Sequence, residues 1–145
     1  MNAPHELLPG AATRPLPAVM LAALQARFGD RCSTATAVRE QHGRDESTYP
    51  VTPPDAVVFC ESSDDVAAAV TLAAAHAVPV IPFGVGSSLE GHLLAVQGGL
   101  SIDLSRMSRI VAVNAADLTV TVEAGVTREQ LNREMDKVAE EIRKR

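Results

Sequence analysis

Between Ala56 and Phe83 the chain runs apolar strand, capped helix and apolar strand within about 30 residues, and this spacing constrains the fold more than any other feature. Ala56-Val57-Val58-Phe59-Cys60 is short, apolar and β-branched. Ser62 suits a helix N-cap, and Asp65 puts negative charge in the first turn, where the helix dipole favours it. A helix over Ser63–His76 places Val66, Ala69, Val70 and Ala73 on one face. A second strand, Val78–Phe83, follows almost at once. Such a βαβ unit is expected to be parallel and right-handed. The segment after Phe83 then lies at the carboxyl end of a parallel strand, where open α/β sheets bind ligands.

That segment is Gly84-Val85-Gly86-Ser87-Ser88-Leu89-Glu90-Gly91-His92. Its three glycines permit positive φ and leave backbone N–H groups uncovered, and successive bare N–H groups form a nest for an anion. A P-loop is excluded: Gly86 and Gly91 have the spacing, but His92 and Leu93 stand where Lys and Ser/Thr are needed. A Rossmann fingerprint also fails, because Leu89 replaces the third glycine and no useful helix follows before Gly98-Gly99. The residues alone leave an anion nest or a plain tight turn.

The flanks complete an α+β reading. Residues 1–16 carry Pro4, Pro9, Gly10 and Pro15 and read as a flexible tail. Pro17–Phe28 reads as a helix closed by Gly29, and Cys32–Val38 as a short extended piece. Arg39–Ser47 is polar loop, and Pro50, Pro53 and Pro54 force an extended approach to the first strand. After the glycine loop, Gly99–Leu104, Ile110–Asn114 and Leu118–Glu123 read as three strands of an antiparallel meander, since their links leave no room for crossover helices. Thr127 and Gln130 suggest a capping box, and Leu131, Met135, Val138 and Ile142 form the apolar stripe of a terminal helix. Glu140–Lys144 and Glu141–Arg145 are favourable i,i+4 pairs at its end. The expected organisation is a βαβ subdomain over 17–92 and the start of a second subdomain plus the C-terminal helix over 93–145.

Composition narrows the partners. With 145 residues and a net charge of −5, the chain suits one globular domain and argues against nucleic acid, whose phosphates need clustered Lys and Arg. No apolar run approaches the length of a transmembrane segment, and Met1–Pro17 lacks the pattern of a secretory signal. Cys32 and Cys60 are too few for a disulfide framework and read as free thiols, consistent with a cytoplasmic setting. The histidines at 5, 42, 76 and 92 show no metal-ligand spacing.

Several motifs, taken in order, carry a resemblance. Pro79–His92, Gly98–Met107 and Val122–Val126, with His42–Ser47 and Asp55–Phe59 upstream, resemble the PCMH-type FAD-binding domain of the vanillyl-alcohol oxidase superfamily. Within it, the D-lactate dehydrogenase (cytochrome) and glycolate oxidase large-subunit group is most similar, and the resemblance covers about residues 20–132. It implies that Pro82, Phe83, Gly84, Val85, Gly86, Ser87 and Ser88, with Leu89 and Gly91, wrap the pyrophosphate of FAD by backbone N–H groups and two serine hydroxyls. The loop lacks the Arg-Ser/Gly-Gly-His pattern of covalent flavinylation, so non-covalent FAD is expected, with His92 a loop residue near the cofactor.

The resemblance also implies an oxidoreductase that oxidises a D-2-hydroxy acid such as D-lactate or glycolate, with the substrate bound only in a full-length form that can sit peripherally on a membrane. The family continues beyond Leu131-Asn132 with a glycine-rich segment and a substrate cap domain. The present C-terminus therefore reads as truncated, diverged or engineered, and the chain as inactive alone. No residue is assigned a catalytic role; His42, His76 and Asp103 are read as structural or rim residues. The alternative is a non-enzymatic binding or assembly module that self-associates through open sheet edges.

Overall fold

The computed structural model describes residues 15–143, the side chains at 141 and 142 excepted. Most of the predicted tail, Ile142 of the apolar stripe, and the pairs Glu140–Lys144 and Glu141–Arg145 lie outside the described residues. The elements in order are α1 (Ala18–Phe28), β1 (Cys32–Ser33), α2 (Thr36–His42), β2 (Ala56–Phe59), α3 (Ser63–Ala75), β3 (Val80–Phe83), β4 (Leu100–Asp103), β5 (Ile110–Asn114), β6 (Thr119–Val122) and α4 (Arg128–Arg143).

The first sheet has the order β1-β2-β4-β3. β2 and β3 are parallel, as the βαβ spacing predicts, but they do not touch: β4 lies between them and pairs in parallel with both. This corrects the assignment of Gly99–Leu104 to an antiparallel meander. The crossover from β3 to β4 needs no helix because the irregular segment folds on itself through Leu94 N–H to Gly91 O (3.1 Å) and Gly98 N–H to Ala95 O (2.8 Å). Of the three strands of the expected meander, β5 and β6 alone pair antiparallel, as a two-stranded hairpin, while at the other edge of the first sheet β1 pairs antiparallel with β2.

β2 and β4 are buried almost throughout, as expected of parallel strands covered on both faces. On one face Ala56, Val58, Leu100 and Ile102 pack with Met20, Leu24 and Phe28 of α1 and Ala69 and Ala73 of α3. Fully buried alanines let α3 approach the sheet closely. Val70, predicted on that face, is instead exposed, while Asp65 is buried. The Ser62 hydroxyl caps α3 by accepting the Asp65 N–H at 3.2 Å. The Asp65 carboxylate accepts the Glu61 N–H and pairs with Arg31, so one side chain ties the helix start to the turn after α1.

Two further local readings change. Residues Thr36–His42 form α2, not an extended piece running into loop. No side chain caps this helix; it is held from outside, by Arg39 Nε donating to Pro54 O at 2.6 Å and by His42. In α4 the Thr127 hydroxyl accepts the Gln130 N–H at 3.2 Å, but Gln130 does not return the bond. Its amide donates to Ser108 O at 2.6 Å and fastens the helix to the turn before β5. Leu131, Met135 and Val138 are half-buried.

Candidate functional site

The three parallel strands end in one register row, Phe59–Asp103–Phe83. The glycine loop leaves this row directly after Phe83. Two cavities flank the loop. One, of about 620 Å³, is lined by Phe83–Gly86, Asp103, Ser105 and the charged residues Glu40, Arg44, Asp45 and Glu46. The other, of about 360 Å³, is lined by Pro82–Ser88, His92 and Ala124 among others, and no carboxylate lines it.

The loop has the properties an anion nest requires. Among the described residues, the N–H groups of Gly84, Val85, Gly86, Ser87 and Ser88 donate to no protein acceptor. Only Gly86 and Gly91, not Gly84, take positive φ. A Cβ built on Gly84 would meet nothing within 4 Å, so no packing within the described chain requires glycine there; the side it bares is open to an approaching ligand. Gly86, at φ +75°, is glycine for backbone reasons, and a Cβ there would stand 3.2 Å from the Phe83 ring.

The loop is braced from outside. Asp45 accepts the Gly91 N–H at 3.0 Å and the Ser47 N–H at 3.0 Å, and Glu46 N–H donates to Ser88 O at 2.9 Å. The hydrogen bonds to Ser47 and Gly91 hold the Asp45 carboxyl below its ordinary range. Within the loop, Ser88 Oγ lies 3.0 Å from His92 Nδ1. Of the residues predicted to contact cofactor, Pro82–Ser88 converge on the smaller cavity. Leu89 is exposed on the loop, and Gly91 packs under Tyr49.

Sequence reasoning missed the pairing behind this loop. His42 and Asp103, 61 positions apart, meet at 2.7 Å (Nε2–Oδ2), with only 2% and 5% of their side chains exposed. His42 Nδ1 lies 2.8 Å from Val38 O, a carbonyl that can only accept, so this nitrogen donates. Asp103 Oδ1 accepts the Ser105 N–H at 2.7 Å. Burial raises the Asp103 carboxyl, but hydrogen bonds from His42 and Ser105 outweigh it and leave the group below its ordinary range. The only prior signal was that Phe83 ends an expected strand and that Phe59 and Asp103 each stand one residue before the end of another. Burial pushes the other nearby reactive group, the Cys60 thiol, up to about 11, so it is protonated and inert at neutral pH.

A parallel sheet that ends in a donor-rich, acid-free recess is suited to a phosphorylated ligand. Residues 54–139 match the FAD binding domain family, and the chain belongs to that family. It is 48% identical over 100 residues to the probable mitochondrial D-lactate dehydrogenase of Danio rerio, covering 69% of this chain and 20% of that protein. It is 34% identical over 119 residues to the mitochondrial D-lactate dehydrogenase (cytochrome) of Arabidopsis thaliana, covering 81% of this chain and 21% of that protein. The fold is similar to that of a solved alkyldihydroxyacetonephosphate synthase, with a TM-score of 0.75 at 24% identity over 85% of this chain and 28% of the other. The chain thus spans about a fifth of the length of these dehydrogenases. Among the described residues no helix is long and apolar enough to cross a membrane, and no cluster of metal-ligating side chains occurs.

Proposed function

We infer that residues 17–145 are a partial FAD-binding domain of a flavin-dependent dehydrogenase for a D-2-hydroxy acid such as D-lactate or glycolate. The observation that carries this is the Gly84–Ser88 loop, with its uncommitted N–H donors, open space beside Gly84 and carboxylate-free recess. The diphosphate of FAD lies on the side of Ser87, Ser88 and His92. The opposite cavity, lined among the described residues by Glu40, Asp45, Glu46 and Asp103 against the single cation Arg44, is net acidic, disfavours phosphate and suits hydroxyl donors. Binding is non-covalent. Bound FAD supplies hydride acceptance; this chain's residues bind and orient it. Among the described residues none is placed as a general base, and the chain alone does not turn over a hydroxy acid.

The test is FAD titration of the purified chain, followed by flavin absorbance near 450 nm and fluorescence quenching, with D-lactate and glycolate assays alongside. Saturable stoichiometric binding without turnover is expected. A folded chain that stays colourless at high FAD overturns the cofactor reading. Turnover overturns the claim of inactivity.

One observation favours a second reading, a self-associating module. The β5–β6 hairpin pairs with no other described strand, and it exposes Val111 (62%) and Leu118 (92%). A concentration-dependent dimer in sedimentation, with no FAD bound, would support it.

A further inference from the structure

His42 stands at the junction of the three parallel strand ends. It bonds Asp103 of β4, meets the Phe59 ring of β2 edge-on at 5.6 Å, and lies against the Phe83 ring of β3 at 4.2 Å. Phe83 in turn is the nearest side chain to the position a Cβ on Gly86 would take. One contact chain therefore runs from Asp103 through His42 and Phe83 to the glycine loop. His42 is also the last residue of α2, so the segment that carries Arg44, Asp45 and Glu46 to the larger cavity starts from the same point.

We propose that His42 is a positioning residue for the cofactor: bound to Asp103 and packed on Phe83, it fixes the backbone geometry in which Gly84–Gly86 meet FAD. The role rests on the FAD reading above. Removing either partner of the pair leaves a buried polar group unmatched at the row from which the loop departs. The ring also gives Phe83 a flat, rigid neighbour that no aliphatic side chain supplies.

The test uses the full chain with His42→Gln and Asp103→Asn, and Ser62→Ala as a control that removes the α3 cap away from the loop. Two readouts are taken: the amide resonances of Gly84, Val85 and Gly86 without FAD, and the FAD dissociation constant. Both pair variants are expected to shift these resonances and weaken FAD by about tenfold, the worth of one strong hydrogen bond. Ser62→Ala should lower the melting temperature and move neither. If His42→Gln or Asp103→Asn does not fold, Phe83→Leu, which removes the ring against His42, is expected to give the same pattern.

Unshifted resonances or an unchanged FAD constant in a folded variant overturns the role. So does an equal response from Ser62→Ala at equal loss of melting temperature, which would mark general loosening. If the wild-type chain fails to bind FAD, the cofactor reading falls, and control of the loop by His42 is judged on the resonances alone.

Discussion

The Asp45 carboxylate spans 46 sequence positions to hold the Gly91 N–H at 3.0 Å. Two segments with little apolar content of their own, 43–47 and 84–91, are joined by this bond and by Glu46 N–H to Ser88 O. The loop is therefore anchored at its far end and left free of protein acceptors at its near end, where the N–H donors of Gly84–Ser88 lie. Asp45→Ala should speed hydrogen exchange at the Gly91 amide and weaken FAD several-fold while leaving global stability nearly unchanged, since the group it removes is near solvent. Amide exchange by NMR with FAD titration checks this. Unchanged exchange at Gly91 would show that the bond does not brace the loop.

Gly84→Val and Gly86→Val should separate ligand approach from backbone strain. At Gly84 a side chain meets no protein atom within 4 Å, so the variant keeps wild-type stability and loses FAD binding. At Gly86, φ +75° makes the same change cost about 1–2 kcal/mol in the FAD-free chain as well. Urea unfolding and FAD titration of both variants decide it; equal destabilisation would contradict the geometry.

Acid should loosen the start of α3 first. The hydrogen bond from Arg31, opposed by burial, holds the Asp65 carboxyl below its ordinary range. A folded value below the unfolded one, about 3.9, means ionised Asp65 stabilises the fold at pH above that value. This contribution declines as pH falls from there toward the folded value. Asp65→Asn should cost about 1–3 kcal/mol at pH 7 and flatten the loss of stability between pH 5 and pH 3. Denaturant melts across that range are the measurement, and parallel curves for wild type and variant would refute the assignment.

Ser101 offers a change in the other direction. It sits in the middle of β4 in the row Val57–Ser101–Ile81, fully buried, and its hydroxyl has no partner among the described residues. Ser101→Ala removes an unmatched polar group without adding volume and should raise stability by up to about 1 kcal/mol. A loss of that size in thermal unfolding would mean the hydroxyl is satisfied in solution.

The βαβ unit, the capped helix and the glycine loop were legible because each depends on local signals: Ser62 as a cap, Gly29 as a stop, apolar runs of strand length. What was not legible depends on partners far along the chain. α2 has no cap of its own and begins with β-branched Thr36; tertiary bonds of Arg39 to Pro54 O and of His42 to Asp103 sustain it. β4 looked like a meander strand because the link before it lacks a helix, yet Pro79 O and Phe83 O accept its flanking N–H groups and place it centrally. The residues of the loop could be named from sequence, but the His42–Asp103 pair behind it could not, since neither residue has a neighbour in sequence that hints at the other.

The position of β4 has a consequence for how the molecule assembles. A chain emerging N-terminus first presents β2 and β3 as two strands with a vacant lane between them, and neither can complete its ladder until Leu100–Asp103 has been made. The sheet closes from the outside in, through contacts distant in sequence, which slows folding. Asp103, the last residue of that late strand, also brings the partner of His42. Completion of the sheet and readiness of the loop are then one event, so a flavin that binds here reports a finished sheet rather than a formed loop.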